Sequence, residues 1–215
     1  MVAYCEHFFV QQLVPAKTQL FDQGDDARMV YLIKRGKVKI AHLTEDGKEV
    51  LVSLLGAGDI FGEEVIFNET NLQRTTIARA LEPTLLCMAR AEDVFAMVSR
   101  HPVLALNVAK YLHEQRDDAL SIVEEVAFLK VQDRLTRLLE RLADEHGVPA
   151  ESGTLLDIRL THADLAALIG STRETITLEL SNLGKSGYIR MEGRSIVLTR
   201  RLKESAQDAT RAPSA

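Results

Sequence analysis

The sequence contains very little cysteine, which excludes several kinds of metal site. Among 215 residues only Cys5 and Cys87 occur, and they form no CxxC motif. Zinc ribbons and cysteine-held iron–sulfur clusters need about four such ligands, so this chain alone cannot build them. The six histidines never fall at HExxH or a similar spacing. We therefore expect no metal, and we expect reduced thiols with Cys87 inside a strand, TLLCM.

Long apolar runs are also absent. No stretch reaches the ~18 residues that indicate a membrane span, and the start, MVAYCEHFFVQQ, lacks the pattern of a signal peptide. Hydrophobic residues make up 46% and charged residues 27% of the chain, as in ordinary globular proteins. These features predict a cytoplasmic protein without a membrane partner. The net charge of −5 does not favour a protein that coats nucleic acid everywhere, although a local basic face can still bind phosphates.

Glycine divides the region from Val14 to about Arg90 into short segments rich in β-branched residues and leucine. The glycines recur roughly every ten residues, which is typical of an antiparallel sandwich or barrel. Between KVKIAHL and KEVLVSL, the pair Asp46-Gly47 predicts a hairpin turn, because glycine adopts positive φ without steric cost.

Helices are predicted next, over Ala91–Ser99 and Val103–Phe128, with Pro102 suited to a first helical turn. The second helix is long, and its apolar residues recur close to heptad spacing: Leu104, Val108, Tyr111 or Leu112, Ala119, Ile122, Val123 and Val126. Such a stripe suits a parallel dimer. The alternative is that it packs only within its own subunit.

A break near Phe128-Leu129-Lys130 separates this helix from another predicted over Val131–Gly147. The following segment, Val148–Gly153, contains Pro149 and reads as a loop. We place a domain boundary at about residue 130.

Two short helices around a tight turn are predicted over Leu160–Gly170 and Ser171–Gly187. Gly170 ends the first helix, and Ser171 or Thr172 can cap the second. One face of the second helix is apolar, formed by Ile176, Leu180 and Leu183, and the opposite N-terminal surface carries Arg173, Glu174, Thr175 and Thr177. This pattern suits a helix-turn-helix that enters the DNA major groove. Two amphipathic helices joined at a glycine are, however, common in any helical domain.

The segment after these helices favours DNA binding. Gly187–Leu198 reads as two short strands around the turn Glu192-Gly193, and a helix-turn-helix followed by such a hairpin is a winged helix. The segment from Ser171 to Lys203 contains seven basic and three acidic residues, which gives a local charge of +4 (7 − 3) in an acidic chain.

The whole chain resembles the cyclic AMP receptor protein/FNR (Crp/Fnr) family of bacterial transcription regulators. The resemblance rests on LFDQGDDARMVYLIKRGKVKI, EDGKEVLVSLLGAGDIFGEE, QRTTIARA, EVAFLKVQDRL, and THADLAALIGSTRETITLEL followed by GYIRMEGRSI. It implies an α+β fold with an N-terminal cyclic-nucleotide-binding-type β-roll (jelly roll), a long dimerisation helix and a C-terminal winged helix-turn-helix. The expected domains are residues 1–102, 103–130 and 131–205, with 206–215 as a tail.

In that family a Gly-Glu pair and an Arg-Ser/Thr pair hold the ribose and cyclic phosphate of the effector. Here Gly62-Glu63 and Arg74-Thr75 stand in those places, so the resemblance implies cyclic AMP as effector. Arginine offers a charged fork to phosphate oxygens, and glutamate can accept from a ribose hydroxyl. The alternative is an ion pair of Arg74 with Glu63 or Glu64 and no ligand.

Three features depart from the cyclic AMP receptor proteins. The loop between Phe67 and Arg74 is one residue longer, and Glu64 adds a carboxylate that would repel phosphate if it pointed inward. The long-helix positions that place hydroxyls against adenine carry Ala119 and Leu120, with Ser121 next to them as a remaining candidate. Haem and iron–sulfur branches of the family lack support, since the cysteines are too few and no haem-ligand pattern is visible.

For DNA, the resemblance assigns base reading to Arg173-Glu174-Thr175. Arginine suits guanine O6 and N7, and glutamate accepts from cytosine N4. Thr177 is a further candidate for base contact, and phosphate contacts are expected from Thr161, Ser171, Lys185 and Arg194. Leu178 stands where the cyclic AMP receptor proteins usually carry another arginine, which predicts a changed base preference at one position.

Together these features predict a homodimeric regulator that binds a palindromic double-stranded operator and is switched by cyclic AMP or a related small anion. RNA polymerase is the implied partner, through Glu45–Glu49 and Pro149–Gly153. The alternative is the same fold without nucleotide, controlled by its abundance or by another metabolite. An enzyme acting through Glu63 and Glu64 is not expected, because adjacent carboxylates on one strand end face different ways and have no nucleophile or metal partner.

Overall fold

A computed structural model describes residues 9–67, 73–158, 160–193 and 195–199. They fall into two compact units, with the boundary between Asp118 and Ala119. The fold is α+β, as predicted: the first unit contains an antiparallel β-roll with helices, and the second contains a helix-turn-helix with a β-hairpin.

The β-roll consists of two four-stranded antiparallel sheets. Its strands are β1 (Val10–Val14), β2 (Gln19–Phe21), β3 (Met29–Arg35), β4 (Val38–Leu43), β5 (Glu49–Leu55), β6 (Ile60–Phe61), β7 (Ile77–Ala80) and β8 (Thr84–Arg90). One sheet has the order β1-β8-β3-β6 and the other β2-β7-β4-β5. The turn at Asp46-Gly47 joins β4 to β5, and Gly47 has a φ of 77°, so this predicted hairpin is confirmed.

Aromatic and aliphatic side chains from both sheets form the core of the roll. Phe21, Tyr31 and Phe61 lie together at its centre, with Tyr31 and Phe61 stacked at 4.8 Å between ring centroids. Cys87 in β8 is buried at 3% exposure, as predicted for the strand TLLCM. Arg74 reaches this core, since its guanidinium lies 4.3 Å from the ring centroid of Phe21.

Among the described residues, the helices next to the strands of the roll in the chain are α1 (Glu64–Phe67), α2 (Ala91–Arg100) and α3 (Pro102–Phe128). Pro102 occupies the first position of α3, where its missing N–H costs no hydrogen bond. The helix ends at Phe128 and α4 (Val131–His146) follows, so the predicted break is present.

The second unit combines α4 with β9 (Gly147–Ala150), β10 (Gly153–Leu156), α5 (His162–Leu168), α6 (Arg173–Lys185), β11 (Ile189–Glu192) and β12 (Ser195–Thr199). The hairpin β11–β12 is the predicted wing. The prediction of a loop over Val148–Gly153 holds only for Glu151 and Ser152, which form a turn, and was wrong for the rest, because β9 pairs with β10 through residues that include Pro149. Since β9 is the edge of its sheet, the proline there breaks no internal ladder.

Neither membrane spans nor metal clusters are found in the part of the chain that the structure describes. None of its helices has the length and hydropathy to cross a membrane. No group of three or more His, Cys, Asp and Glu side chains in that part is placed to hold a metal ion.

Candidate nucleic-acid interface and effector site

Both helices of the helix-turn-helix begin at a threonine cap. Thr161 and Asp164 form a capping box at α5, in which the Thr161 hydroxyl accepts from the Asp164 N–H at 3.1 Å and Asp164 accepts from the Thr161 N–H at 2.9 Å. At α6 the cap is Thr172, whose hydroxyl accepts from the Thr175 N–H at 3.2 Å. These caps satisfy backbone donors that the first turn leaves unpaired.

The buried face of α6 matches the prediction from spacing. Ile176, Leu180 and Leu183 are its buried residues. Packing of these three side chains leaves the other face of α6 directed away from the core.

The exposed face carries Arg173 and Glu174 in the first turn of α6. Arg173 makes no side-chain hydrogen bond or ion pair with any residue that the structure describes, so its guanidinium is available to a partner. Leu178 lies one turn further along and is 59% exposed. A guanidinium, a carboxylate and an apolar group thus occur together at the N-terminal half of one exposed helix face.

The threonine hydroxyls of this region are already bonded within the protein. Thr175 Oγ1 lies 2.9 Å from Thr172 Oγ1. Thr177 Oγ1 donates to the Arg173 carbonyl at 2.9 Å and lies 2.8 Å from Nδ1 of His162. Thr175 and Thr177 thus help to position α6 as it stands. Sequence reasoning missed His162, since only its place at the start of α5 marks it.

The predicted phosphate contacts lie at scattered places of this unit. Ser171 is half-buried between the helices, and its N–H donates to the Ala166 carbonyl at 2.9 Å. Lys185 is exposed in the last turn of α6, and Thr161 is exposed at the start of α5. Arg194 lies outside the described residues.

In the β-roll, Arg74 points into the protein. Its side chain is 1% exposed, and its guanidinium lies 4.3 Å from the ring centroid of Phe21. One terminal nitrogen donates to the Glu64 carboxylate at 2.7 Å and to the Gly62 carbonyl at 3.2 Å, and the other donates to the Met29 carbonyl. The pair with Glu64 is one of the two ion pairs that the sequence left open.

Gly62 allows this close approach. Its φ is 75°, and a Cβ at this position would lie 2.7 Å from the Arg74 guanidinium nitrogen and 3.0 Å from the Met29 carbonyl oxygen. Both the backbone angle and the crowding favour glycine here.

The two adjacent glutamates have different surroundings. Glu64 pairs with Arg74 and its side chain is 39% exposed. Glu63 is half-buried, and this burial raises its pKa above the ordinary value of 4.5. The side chains of Thr75 and Ser121 are both exposed. The structure therefore brings Gly62 and Arg74 together and directs Glu63 elsewhere.

The arrangement as it stands does not fit a cyclic phosphate at Arg74. Both terminal nitrogens of the guanidinium already donate to protein oxygens, and the side chain has almost no exposed surface. A phosphate at this position would have to take the place of the Glu64 carboxylate. The remaining donor, Nε of Arg74, has no hydrogen-bond partner among the described residues but is buried as well.

The apolar stripe of α3 divides into two parts. Leu104, Val108 and Tyr111 are half-buried against the roll, and the Tyr111 hydroxyl donates to the Ile60 carbonyl at 3.1 Å. Beyond residue 118 large apolar side chains are exposed, with exposures of 46% for Leu120, 41% for Ile122, 63% for Val123, 47% for Val126 and 84% for Phe128. A row of exposed apolar side chains is a candidate interaction surface.

Glu125 is buried within this exposed stretch of α3. Its carboxylate accepts from Arg141 of α4 at 2.8 Å and lies 3.8 Å from Arg137. Nothing in the sequence pattern distinguishes Glu125, because a glutamate in a mixed EEV run is ordinarily solvated.

Comparison with known proteins matches both units. Residues 11–101 match the model of the cyclic nucleotide-binding domain, and residues 133–203 match that of the Crp-like helix-turn-helix domain. The chain is 33% identical over 184 residues to the cyclic AMP receptor protein of Thermus thermophilus, covering 86% of this chain and 81% of that protein. It is 30% identical over 194 residues to the global nitrogen regulator of Synechocystis sp., covering 87% and 86%.

Among solved structures, the c-di-GMP-responsive global regulator CLP of Xanthomonas campestris superposes with a TM-score of 0.76 at 26% identity, covering 89% of this chain and 94% of that one. The fold and the helix-turn-helix thus define a DNA-binding transcription regulator with a cyclic-nucleotide-binding-type β-roll. The chain belongs to the Crp/Fnr family. The relatives differ in their named signals, so membership does not fix an effector.

Proposed function

We propose that this regulator acts as a homodimer that binds a palindromic operator through the exposed face of α6. The observation that carries the proposal is the position of Arg173 and Glu174 at the capped N-terminal end of α6, with Arg173 unpaired among the described residues. Arg173 would donate to guanine and Glu174 would accept from cytosine in the major groove. Lys185 and Arg194 would add phosphate contacts, which position the protein without selecting sequence.

The dimer is supported by the apolar stretch Leu120–Phe128, which water covers in a single subunit. Two copies paired along this seam would place two α6 helices on successive major grooves, about 34 Å apart. Palindromic half-sites follow from that two-fold symmetry.

Selection of duplexes from a random pool by the purified protein tests both parts. The expected product has inverted half-sites about one helical turn apart. Arg173→Ala with Glu174→Ala should abolish the enrichment. Recovery of an unrelated or single half-site would contradict the proposal.

The seam has its own test in sedimentation velocity. Val123→Arg places a charge in the exposed apolar stretch and should give a monomer with weak operator binding. Val10→Arg is the matched control, because Val10 is also exposed, at 64%, but lies on β1. A dimer that survives Val123→Arg would exclude this seam.

Operator affinity would be controlled through the β-roll. One candidate effector is cyclic AMP or a related small anion at Gly62, Glu63, Arg74 and Thr75, with Ser121 as the further residue that the family resemblance implies. The second candidate is control by abundance or by another metabolite, without nucleotide, and the pairing of Arg74 with Glu64 favours it. Because family members are transcription regulators, the proposal also includes contact with RNA polymerase and a cytoplasmic location. It does not include an enzymatic activity.

Titration of operator affinity with cyclic AMP separates the two candidates. An increase of tenfold or more at millimolar nucleotide, lost in Arg74→Ala but kept in Arg79→Ala, supports cyclic AMP. Unchanged affinity across that range supports the second candidate.

A further inference from the structure

A cavity of about 300 Å³ lies between the β-roll and the two helices that follow it, within the first unit. Side chains from β3, β6, α1, α2 and α3 line it, and nearly all of them are apolar. Leu104, Val108 and Tyr111 form the wall on α3, and Val94 and Met97 form the wall on α2. An apolar cavity of this size is a ready site for a small molecule.

Glu63 is the ionisable acid in the lining of this cavity. The positive charge of Arg74 is already paired with the carboxylate of the neighbouring Glu64 and not with Glu63. Burial raises the pKa of Glu63, which means that the surroundings disfavour its charged form. The Tyr111 hydroxyl donates to the Ile60 carbonyl, and burial raises the pKa of Tyr111 to about 12.

We infer that this cavity binds an uncharged, mostly apolar small molecule that carries one hydroxyl group, with Glu63 accepting the hydrogen bond from that hydroxyl. An anion is disfavoured, because the lining is nearly all apolar and includes no arginine or lysine to pair with a negative charge. An apolar cavity of 150 Å³ takes a benzene ring, so twice that volume takes roughly a dozen non-hydrogen atoms.

Such a molecule would be the metabolite that controls the regulator in place of a nucleotide. Only this regulatory role rests on the proposed function. The cavity lies apart from the Arg74 guanidinium, which points to Phe21, Gly62 and Met29 and does not line the cavity. Binding can therefore be measured on the full chain without DNA. Loss of operator binding would leave this inference intact, and failure of ligand binding would leave operator binding intact.

The test uses three matched probes: 1-naphthol, naphthalene and 1-naphthoate. The chain contains no tryptophan, so transfer of excitation from tyrosine to the naphthyl ring reports binding directly. We expect saturable binding of 1-naphthol, weaker binding of naphthalene, and binding of 1-naphthoate at least tenfold weaker than that of 1-naphthol. Equal or tighter binding of 1-naphthoate, or no saturable binding of 1-naphthol, would overturn the inference.

Two substitutions locate the bound probe. Val108→Phe fills the cavity and should weaken 1-naphthol binding at least tenfold, whereas Val103→Phe, on the same helix at 69% exposure, should leave it within twofold. Glu63→Leu should remove most of the roughly fivefold preference for 1-naphthol over naphthalene that one hydrogen bond supplies. If Val108→Phe unfolds the roll, Leu104→Phe replaces it. An unchanged affinity in both filled variants would place the probe elsewhere.

Discussion

Arg74 and Arg173 carry the same guanidinium into opposite surroundings. Arg74 is buried among aromatic rings, and its terminal nitrogens donate to two carbonyls and a carboxylate. Arg173 stands exposed on a capped helix and makes no side-chain bond with the residues described around it. The resemblance gives both residues a phosphate-rich partner. The difference teaches that matching a motif fixes where an arginine stands in the sequence, while its neighbours decide whether its donors are available.

The largest effect should come from Arg74→Ala. It would leave the carbonyls of Gly62 and Met29 without their donor and would open space beside Phe21, so we expect the roll to lose about 3 kcal/mol of unfolding free energy. Urea unfolding at pH 7 measures this. Arg79→Ala is the control, because Arg79 pairs with Glu49 at partly exposed positions and should cost at most about 1 kcal/mol. Equal losses in the two variants would show that Arg74 is not a structural residue.

Arg173→Ala should show the reverse profile. Removal of an exposed guanidinium is expected to leave unfolding unchanged within about 0.5 kcal/mol. Operator affinity should fall by about 2 kcal/mol, or roughly thirtyfold, with the loss confined to one base pair of each half-site. Fluorescence anisotropy at fixed salt measures it, with Arg100→Ala as an exposed control in the first unit. A uniform loss over all DNA sequences would reduce Arg173 to a phosphate contact.

Leu178→Arg should sharpen the comparison by adding a second available guanidinium. A gain of about 1 kcal/mol for guanine at one half-site position is expected, which is roughly a fivefold shift in preference. Ser181→Arg is the matched control, because it adds the same charge one turn further along the exposed helix. The control should strengthen binding without changing the preferred base. Identical behaviour of both variants would remove Leu178 from the specificity-determining residues.

The smallest effect concerns Glu63. Burial raises the pKa of Glu63 in the folded state above its ordinary value of 4.5. The protonated carboxyl therefore contributes fully to stability at a pH below 4.5, and this contribution is lost as the pH rises through the folded-state pKa. The glutamine of Glu63→Gln stays uncharged at every pH. The unfolding free energy of this variant should therefore rise relative to that of the wild type as the pH increases above 4.5. Parallel stability curves for the two proteins from pH 4 to pH 8 would contradict the shift.

The fold was largely predictable from the sequence, and the direction of single side chains was not. Apolar spacing alone identified Ile176, Leu180 and Leu183 as the buried face of α6, because helical period and burial are linked locally. Spacing could not choose between Glu63 and Glu64 as the partner of Arg74. That choice depends on Phe21 and the Met29 carbonyl, which the chain brings in from other strands.

Two further differences have similar causes. The segment around Pro149 reads as a loop until its place at a sheet edge is known, since only there does a proline fit a strand. The cap of α6 could be Ser171 or Thr172 from the sequence, and the geometry selects Thr172. The predicted domain limits and the individual site residues stay predictions, and the variants above test Glu63, Arg74, Arg173 and Leu178.

Glu125 has a practical consequence for the construction of hybrid regulators. Its carboxylate binds Arg141, and its neighbour Val126 lies close to Gly170, so the last turns of α3 are fastened to the DNA-reading half of the chain. A graft that begins at Val131 would separate Arg137 and Arg141 from the carboxylate of Glu125. A graft that begins at Ala119 would keep the contacts of Glu125 and Val126 with the rest of the second unit. The middle of α3 is therefore a better splice point than the break between α3 and α4.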